Sequence, residues 1–535
     1  MVMNKRSLIL SGLTSSLGIF ITKAIGILYV SPFTQIAGQQ NTAFYSYGYT
    51  FYDFMLQLAI AGLPVAAATL ISRYVAKNDY PMMLMINRFM KRVLFSVGIL
   101  FFVAIYLTAP WIVPFIIGSQ ASASSYEITL IVIRFVALAM FITPVLSSYR
   151  SFMQGMKEMK IYASSQVLEQ VVRVAFLLGI SVLLVNVLNY DRITAVYVAM
   201  LAASIAGGVA IIDLYIKERR IIKKLNIAES SPIELNWVNF LKEIFAISLP
   251  FLIVSVLSNL EAMVTLFGFN NTMLAQGVKE VDVNILFTII MFTTKKLTSI
   301  PHVLALGFSI AIIPYISEAF TLNKRQDLRN HIYDAIETVL FIGLPMVCGL
   351  FVFSEEIYYI FYLDYAFIGG EVLRTSSIQA ILSVVSPVLV NILIVLQLRR
   401  KVVFSLTLAF LIKLLIFVPL IMLIGYQGAV VSSIVSHIAL VGYNLNTIKK
   451  MYGFNYGRVR SRLVLMLVST LGMAMIGYAF KFIGWHNILF DSRLLTFIKL
   501  TISGGLSLAA YGVITWMFGL PQMYILQRKK RHATS

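Results

Sequence analysis

Residues 56–79 read LQLAIAGLPVAAATLISRYVAKND, and residues 296–323 read KLTSIPHVLALGFSIAIIPYISEAFTLN. Each stretch is an apolar helix that contains glycine and proline and continues through Ile-Ser into a short polar segment. When Gly62 is aligned with Gly307, four further pairs are identical: Ala66/Ala311, Ile71/Ile316, Ser72/Ser317 and Asn78/Asn323. Matching Gly/Pro-interrupted helices in two halves of a membrane protein point to a transporter's binding site. The alternative is chance similarity between two apolar helices.

The composition indicates a membrane protein. Of the 535 residues, 59% are hydrophobic and 12% are charged, whereas soluble domains carry about 25% charged residues. The apolar run at 7–31 is too long for the core of a signal peptide and no cleavage site follows it, so we interpret it as an uncleaved first span. The single cysteine, Cys348, excludes an intramolecular disulfide and a multi-cysteine metal site.

The sequence predicts an all-α polytopic membrane protein with about fourteen transmembrane helices, since a span needs about 20 apolar residues. The predicted spans are 7–31, 44–71, 93–117, 127–149, 163–188, 193–216, 244–269, 283–316, 332–353, 372–397, 402–424, 427–448, 463–483 and 494–518. The repeat makes spans 1–6 and 7–12 two six-helix lobes related by a parallel pseudo-two-fold axis, followed by two extra C-terminal helices. The predicted domains are an N-lobe (1–216), a cytoplasmic linker (217–243), a C-lobe (244–450), spans 13 and 14 (451–518) and a basic cytoplasmic tail (519–535).

The basic residues lie mainly on one side of these spans. If the N-terminus is inside, the outside loops hold only four of the 43 Lys and Arg residues: Arg192, Lys279, Lys481 and Arg493. The positive-inside rule then predicts that both termini are cytoplasmic. The formal charge of +20 is therefore topological and attracts anionic lipid headgroups, so we expect membrane lipids and no nucleic acid as partners.

Charges within the predicted spans are candidate substrate ligands. A charge at mid-membrane costs roughly 2.5–3.5 kcal/mol, so such a residue faces the bundle interior or water. Lys23 on span 1, Asp53 on span 2, and Lys295 and Lys296 on span 8 occupy the first two helices of each repeat. They predict a cationic cavity with one acid, which suits an anionic substrate; a buried ion pair between Asp53 and a lysine is the alternative. Arg73, at the inner end of span 2, completes the candidate set.

The remaining candidates concern ions, hinges and structural pairs. Span 7 carries Asn259 and Glu261, a possible Na⁺ or H⁺ site, although Glu261 could instead neutralise a lysine. The hinge or broken-helix candidates are Gly62, Pro64, Pro301 and Gly307. An i,i+4 ion pair is expected between Glu169 and Arg173.

Other chemistry is not predicted. The chain has no G-x-x-x-x-G-K-[ST] motif for ATP. We predict no catalytic residue, metal site or cofactor, which leaves Na⁺ or H⁺ coupling or the membrane potential as the driving force.

Three stretches resemble a known family. They are TKAIGILYVSPFTQIAGQQNTAFYSYGYTFYDF at 22–54, LAIAGLPVAAATLISRYVAKNDY at 58–80 and IPHVLALGFSIAIIPYISEA at 300–319. They are similar to the SpoVB/YtgP group of the multidrug/oligosaccharidyl-lipid/polysaccharide exporter superfamily, which includes the MurJ-type lipid II flippases of Gram-positive bacteria. The resemblance implies a V-shaped bundle with a central cationic cavity, alternating access, and spans 13 and 14 that accommodate a lipid tail. Lys23 stands where this group usually has arginine.

This resemblance favours a monomeric flippase in the cell membrane of a Gram-positive bacterium. It would carry undecaprenyl-diphosphate-linked peptidoglycan precursor (lipid II) from the inner to the outer leaflet. One alternative is another undecaprenyl-linked unit for capsule, exopolysaccharide or teichoic acid. The others are an ion-coupled multidrug exporter, which would depend on cavity carboxylates, and an intramembrane glycosyl- or acyltransferase, which would need an embedded histidine or paired acids.

Overall fold

The fold is that of a computed structural model, which describes residues 21–23, 25–60, 62–225, 237–453 and 456–520. Within these residues every regular element is helical and no strand occurs. The predicted all-α class is therefore confirmed.

The helices fall into two compact units, one ending at Thr288 and one beginning at Ile289. The first unit contains α1 Val30–Ala37, α2 Gln39–Ile60, α3 Leu63–Ala76, α4 Tyr80–Ile117, α5 Ala123–Gly155, α6 Met159–Ser181, α7 Ile193–Lys224, α8 Trp237–Ala275 and α9 Glu280–Thr288. The second contains α10 Thr294–Thr321, α11 Arg325–Val352, α12 Ser354–Tyr362, α13 Ala366–Val395, α14 Arg399–Ile424, α15 Gln427–Tyr452, α16 Tyr456–Phe482 and α17 Arg493–Met517. π-Helical turns follow α6 at Val182–Val187 and precede α10 at Ile289–Thr293.

Thirteen helices in the described part of the chain are long and apolar enough to cross a membrane. They correspond to predicted spans 2–14. Most of the predicted first span falls on residues 1–20, which lie outside the described residues. Residues 226–236 of the predicted linker and residues 521–535 of the predicted tail also lie outside them.

The boundary between the compact units lies within span 8, because span 7 packs on the helices of the first unit. The amide of Asn270 on α8 donates to the carbonyl of Ile116 on α4 at 2.8 Å. Nearer the start of α8, the hydroxyl of Ser255 donates to Oε1 of Gln57 on α2 at 2.6 Å. The six-plus-six division of the lobes stays a prediction.

Span 2 consists of two helices that meet at Gly62. α2 ends at Ile60, and α3 begins at Leu63 with Pro64 in its first turn. Proline is tolerated there because the first amides of a helix have no intrahelical acceptor. Gly62 has φ +89°, in the region that glycine adopts readily because it lacks Cβ. The irregular backbone of span 2 thus lies at two of the predicted hinge residues.

The second copy of the repeat has a different backbone. α10 runs through Pro301 and Gly307 without interruption. The irregular part of span 8 is instead the π-helical turn Ile289–Thr293, which lies before the two lysines. A π turn adds a residue to one helical turn and so changes the direction of the side chains that follow it.

Each unit has a buried apolar cluster. In the first unit, Leu70 and Ile71 of α3 pack with Met83 of α4 and Phe152 of α5. In the second, α16 and α17 pack on α11 through Cys348, Val352, Phe353, Met473 and Tyr511. This cluster attaches the two extra C-terminal helices to span 9.

Candidate functional site

Lys23 lies at the start of the described part of span 1 and is exposed. It makes no ion pair with a described residue. One turn farther along, a Cβ on Gly26 would lie 3.4 Å from Nε2 of Gln170 on α6. The hydroxyls of Tyr29 and Tyr45, both buried, are 3.0 Å apart and join span 1 to span 2. Lys23, which has no ion-pair partner among the described residues, therefore places a positive charge within a turn of the contact between spans 1 and 5.

Asp53 is half-buried on α2 and forms no ion pair with a described residue. The alternative reading, a buried pair between Asp53 and a lysine, is not observed among the described residues. The hydroxyl of the preceding Tyr52 lies 3.0 Å from Oγ1 of Thr143 on α5. This contact orients the middle of α2 relative to span 4.

The expected pair between Glu169 and Arg173 is present, and Arg150 joins it. Nη2 of Arg150 donates to Oε2 of Glu169 at 2.8 Å, and its Nε donates to Oγ of Ser165 at 3.1 Å. Arg173 bonds to the other carboxylate oxygen. Two guanidiniums share one carboxylate, so a net positive charge remains. The sequence did not predict that Arg150 binds Glu169, because Arg150 directly follows predicted span 4 and was expected in the inner loop.

Arg73 and the span 7 candidates have local partners. Arg73 pairs with Glu243 of α8, and both side chains are well exposed. Nδ2 of Asn259 donates to the carbonyl of Ser255 at 2.8 Å, and Glu261 is half-buried. No cluster of His, Cys, Asp or Glu suited to a metal ion occurs among the residues that the structure describes.

The span 8 lysines directly follow the π-helical turn. Lys295 is exposed, whereas Lys296 is half-buried with Nζ 5.6 Å from the ring centroid of Phe292. The turn is tied to α12, since Oγ1 of Thr293 lies 2.9 Å from the hydroxyl of Tyr358. The backbone that leads into the two lysines is thus held by the second unit itself.

Two further polar side chains of the second unit have structural partners. Nδ1 of His302 lies 2.8 Å from the carbonyl oxygen of Ser383. Lys413, only 3% exposed, donates to Oγ of Ser433 at 2.8 Å. Both residues join neighbouring spans of this unit.

An apolar groove of about 260 Å³ lies between α10, α11, α16 and α17. Its lining includes Pro301, Pro345, Gly349, Met473, Gly504 and Leu508. Small residues on α11 and α17 leave room between the larger side chains. The groove can accept a hydrocarbon chain but offers no charged group to a ligand.

A polar cluster formed by α12, α16, α17 and the segment between α16 and α17 lies at one end of this groove, and its acids and histidine lie outside the membrane-spanning helices. Nζ of Lys481 lies 3.0 Å from Oε2 of Glu356, and Nζ of Lys499 lies 2.8 Å from Oδ2 of Asp491. The hydrogen bond from Lys499 lowers the pKa of Asp491, whereas burial raises the pKa of Glu356. Burial also lowers the pKa of His486 to about 4. Sequence reasoning missed this cluster because its members come from three separate segments.

The fold and these residues define an all-α polytopic membrane protein. A solved structure of lipid II flippase MurJ in an inward-closed conformation matches with TM-score 0.68, covering 96% of this chain and 100% of that one at 14% identity. An inward-facing structure of a MATE-family multidrug resistance transporter of the MOP superfamily matches with TM-score 0.62, covering 81% and 95% at 15% identity. At these identities the two structures establish the fold alone.

Sequence comparison identifies the family. The family model described as "Polysaccharide biosynthesis protein" matches residues 10–320. The chain is 30% identical to lipid II flippase MurJ of Bacillus subtilis (strain 168) over 97% of this chain and 98% of that protein. The chain therefore belongs to the polysaccharide biosynthesis protein family and to its MurJ-type group. The resemblance noted from the sequence is confirmed, and these relatives are transporters and not enzymes.

Proposed function

We propose that this protein is a flippase that moves lipid II from the inner to the outer leaflet of the cell membrane. The observation that carries this proposal is the 30% identity to Bacillus subtilis MurJ over nearly the full length of both chains. We propose that it acts as a monomer in a Gram-positive bacterium, with both termini in the cytoplasm. Its partners are then the undecaprenyl-diphosphate-linked precursor and membrane lipids.

The diphosphate is the part of the cargo that needs positive charge. Lys23 in the first unit, and Lys295 in the second, make no ion pair with a described residue. Lysine acts on phosphate as a flexible point charge, whereas arginine would bind it bidentately. We propose that Lys23, Lys295 and Lys296 bind the diphosphate. In this proposal Asp53 limits the net positive charge of the site, and Arg73 adds a positive charge at the inner end of span 2. The apolar groove beside α16 and α17 then accommodates part of the lipid tail.

The membrane potential can drive the movement without ATP. An inside-negative potential favours outward movement of an anion by about 2.3 kcal/mol per charge per 100 mV. Two phosphate charges would gain up to about 4.6 kcal/mol at 100 mV, less the contribution of any protein charge that moves with them. Coupling to Na⁺ or H⁺ through Glu261 and Asn259 is the other proposed source. If flipping is unchanged when the potential and all ion gradients are collapsed, both sources are wrong.

A complementation experiment tests cargo and site together. The chain is expressed in a Gram-positive host depleted of its own lipid II flippases, as wild type, Lys23→Ala, Lys23→Arg and the double variant Lys295→Ala/Lys296→Ala. Lys450→Ala, an exposed lysine at the end of α15, is the matched control. Membrane levels are measured first, and lipid II is then labelled at the outer face.

We expect wild type, Lys23→Arg and Lys450→Ala to restore labelling and the two alanine variants at the site to fail. Restoration by every variant would keep the cargo and reject the lysine site. Failure of well-inserted wild type would reject lipid II. The next cargo to test would be another undecaprenyl-linked polymer unit, followed by drugs, in view of the structural likeness to MATE transporters.

A further inference from the structure

A second cavity lies within the first unit, between the segments where predicted spans 3 and 4 meet the inner surface. It has a volume of about 500 Å³, which falls within the range of roughly 300–1,000 Å³ that is usual for small-molecule sites. Its lining includes Lys91, Arg92, Phe95, Ser96, Ser148 and Tyr149. We call it the span 3–4 cleft. None of these residues belongs to the proposed cargo site.

The charges around the cleft do not cancel. Glu218 of α7, 3% exposed, accepts a hydrogen bond from Nδ2 of Asn87 at 2.6 Å and pairs with Lys91. Nζ of Lys91 also lies 3.8 Å from the ring centroid of Tyr149. Arg92 is exposed and makes no hydrogen bond or ion pair with a described residue. Lys91 is thus neutralised by Glu218, and Arg92 remains as a cation at the cleft with no acidic partner in the described part of the chain.

The cleft is amphipathic along the direction of the helices. Arg92 is the last charged residue of α4 before a long apolar run. Phe95, 45% exposed, follows it and packs edge-on against Phe141 of α5, with ring centroids 5.5 Å apart. The positive-inside distribution assigns the cationic end to the cytoplasmic surface. The cleft therefore offers positive charge at headgroup depth and apolar surface where acyl chains lie.

We propose that the span 3–4 cleft binds the phosphate of an anionic phospholipid of the inner leaflet, such as phosphatidylglycerol. Basic pockets between transmembrane helices on the cytoplasmic side bind anionic headgroups, and a guanidinium can hold a phosphate through two parallel hydrogen bonds. Arg92 makes this contact, the hydroxyl of Ser96 lines the headgroup site, and Phe95 packs against the acyl chain. Free phosphate would satisfy Arg92 but would leave the apolar part of the cleft unused. This site does not depend on the identity of the flippase cargo.

Lipid binding to the full chain can be measured directly. The purified protein in detergent is titrated with phosphatidylglycerol, with phosphatidylcholine or with inorganic phosphate, and bound lipid is counted by native mass spectrometry. Arg92→Gln removes the cation. Ser96→Trp fills the cleft without changing the charge, and a tryptophan is tolerated at an exposed interfacial position. Arg400→Gln is the matched control, since Arg400 is an exposed arginine at the start of α14 with no partner among the described residues.

We expect one phosphatidylglycerol to bind wild type and Arg400→Gln more tightly than phosphatidylcholine does. Arg92→Gln and Ser96→Trp should each weaken phosphatidylglycerol binding about tenfold, the scale of one charge-assisted hydrogen bond. Equal affinity of wild type and both cleft variants would overturn the proposal, and so would equal weakening by Arg400→Gln. The cleft would belong to a different ligand if inorganic phosphate displaced the bound phosphatidylglycerol. The same would hold if undecaprenyl diphosphate occupied the cleft at a lower concentration than phosphatidylglycerol does.

Discussion

Replacement of Gly62 by alanine is expected to destabilise the first unit. Gly62 joins α2 to α3 with φ +89°, and it lies directly against the backbone of α8. A Cβ at this position would lie 2.8 Å from Cα of Ser248 and 2.9 Å from its carbonyl carbon, and would overlap its carbonyl oxygen. Because the neighbouring atoms are backbone, no side-chain rotation can relieve the overlap.

The magnitude has two parts. A non-glycine residue in a sparsely populated backbone region costs about 1–3 kcal/mol. Overpacking a close contact costs a further 1–3 kcal/mol or so. The sum, about 2–6 kcal/mol, is a large fraction of the stability of an ordinary domain. Gly62→Ala should therefore lower the unfolding temperature clearly, and should impair any movement of span 2 relative to span 7.

The assay is thermal unfolding of the detergent-solubilised chain, followed by size-exclusion chromatography of the heated samples. Gly179→Ala is the control, because Gly179 is helical and a Cβ there would meet nothing within 4 Å. Alanine at an open helical position is neutral or stabilises by up to about 1 kcal/mol. The reasoning would be refuted if Gly62→Ala unfolded at the wild-type temperature, or if Gly179→Ala lost as much stability as Gly62→Ala.

Three further predictions concern buried polar groups. Glu169→Ala should destabilise the folded protein by about 3–5 kcal/mol, since two largely buried arginines lose their shared carboxylate. The control is Asp213→Asn at a more exposed i,i+4 pair, which should change the stability by less than about 1 kcal/mol. Equal losses in the two variants would contradict this. Tyr47→Phe should cost about 1–3 kcal/mol in thermal unfolding, because its fully buried hydroxyl donates to Oδ1 of Asn284 at 2.6 Å. The pKa of His486 is lowered to about 4 in the folded protein, so as the pH falls the unfolded chain binds a proton on this ring before the folded protein does. Stability should therefore fall as the pH drops from about 6.5 towards 4. The loss should be about 1 kcal/mol at pH 5 for this half-buried ring. Melting curves at pH 7 and 5 test this, and His486→Gln should remove that part of the pH dependence.

The number and position of the membrane helices follow from local composition, which is why the sequence predicted them. All thirteen spans within the described residues coincide with predicted ones. The break at Gly62 was also foreseeable, because glycine followed by proline at Pro64 disfavours a continuous helix. The i,i+4 pair of Glu169 with Arg173 depends only on helical spacing. The family was predictable too, since its motifs are contiguous in the chain.

The contacts between helices were decided only by the tertiary structure. The pairing of Lys91 with Glu218, of Arg462 with Glu337 and of Arg150 with Glu169 joins residues on different spans. A membrane span is apolar on nearly every face, so its sequence carries no amphipathic stripe to show which face meets which neighbour. The rotation of each helix is set by close packing of small and large side chains. Local composition therefore determined where the chain crosses the membrane, and packing determined which buried charges meet.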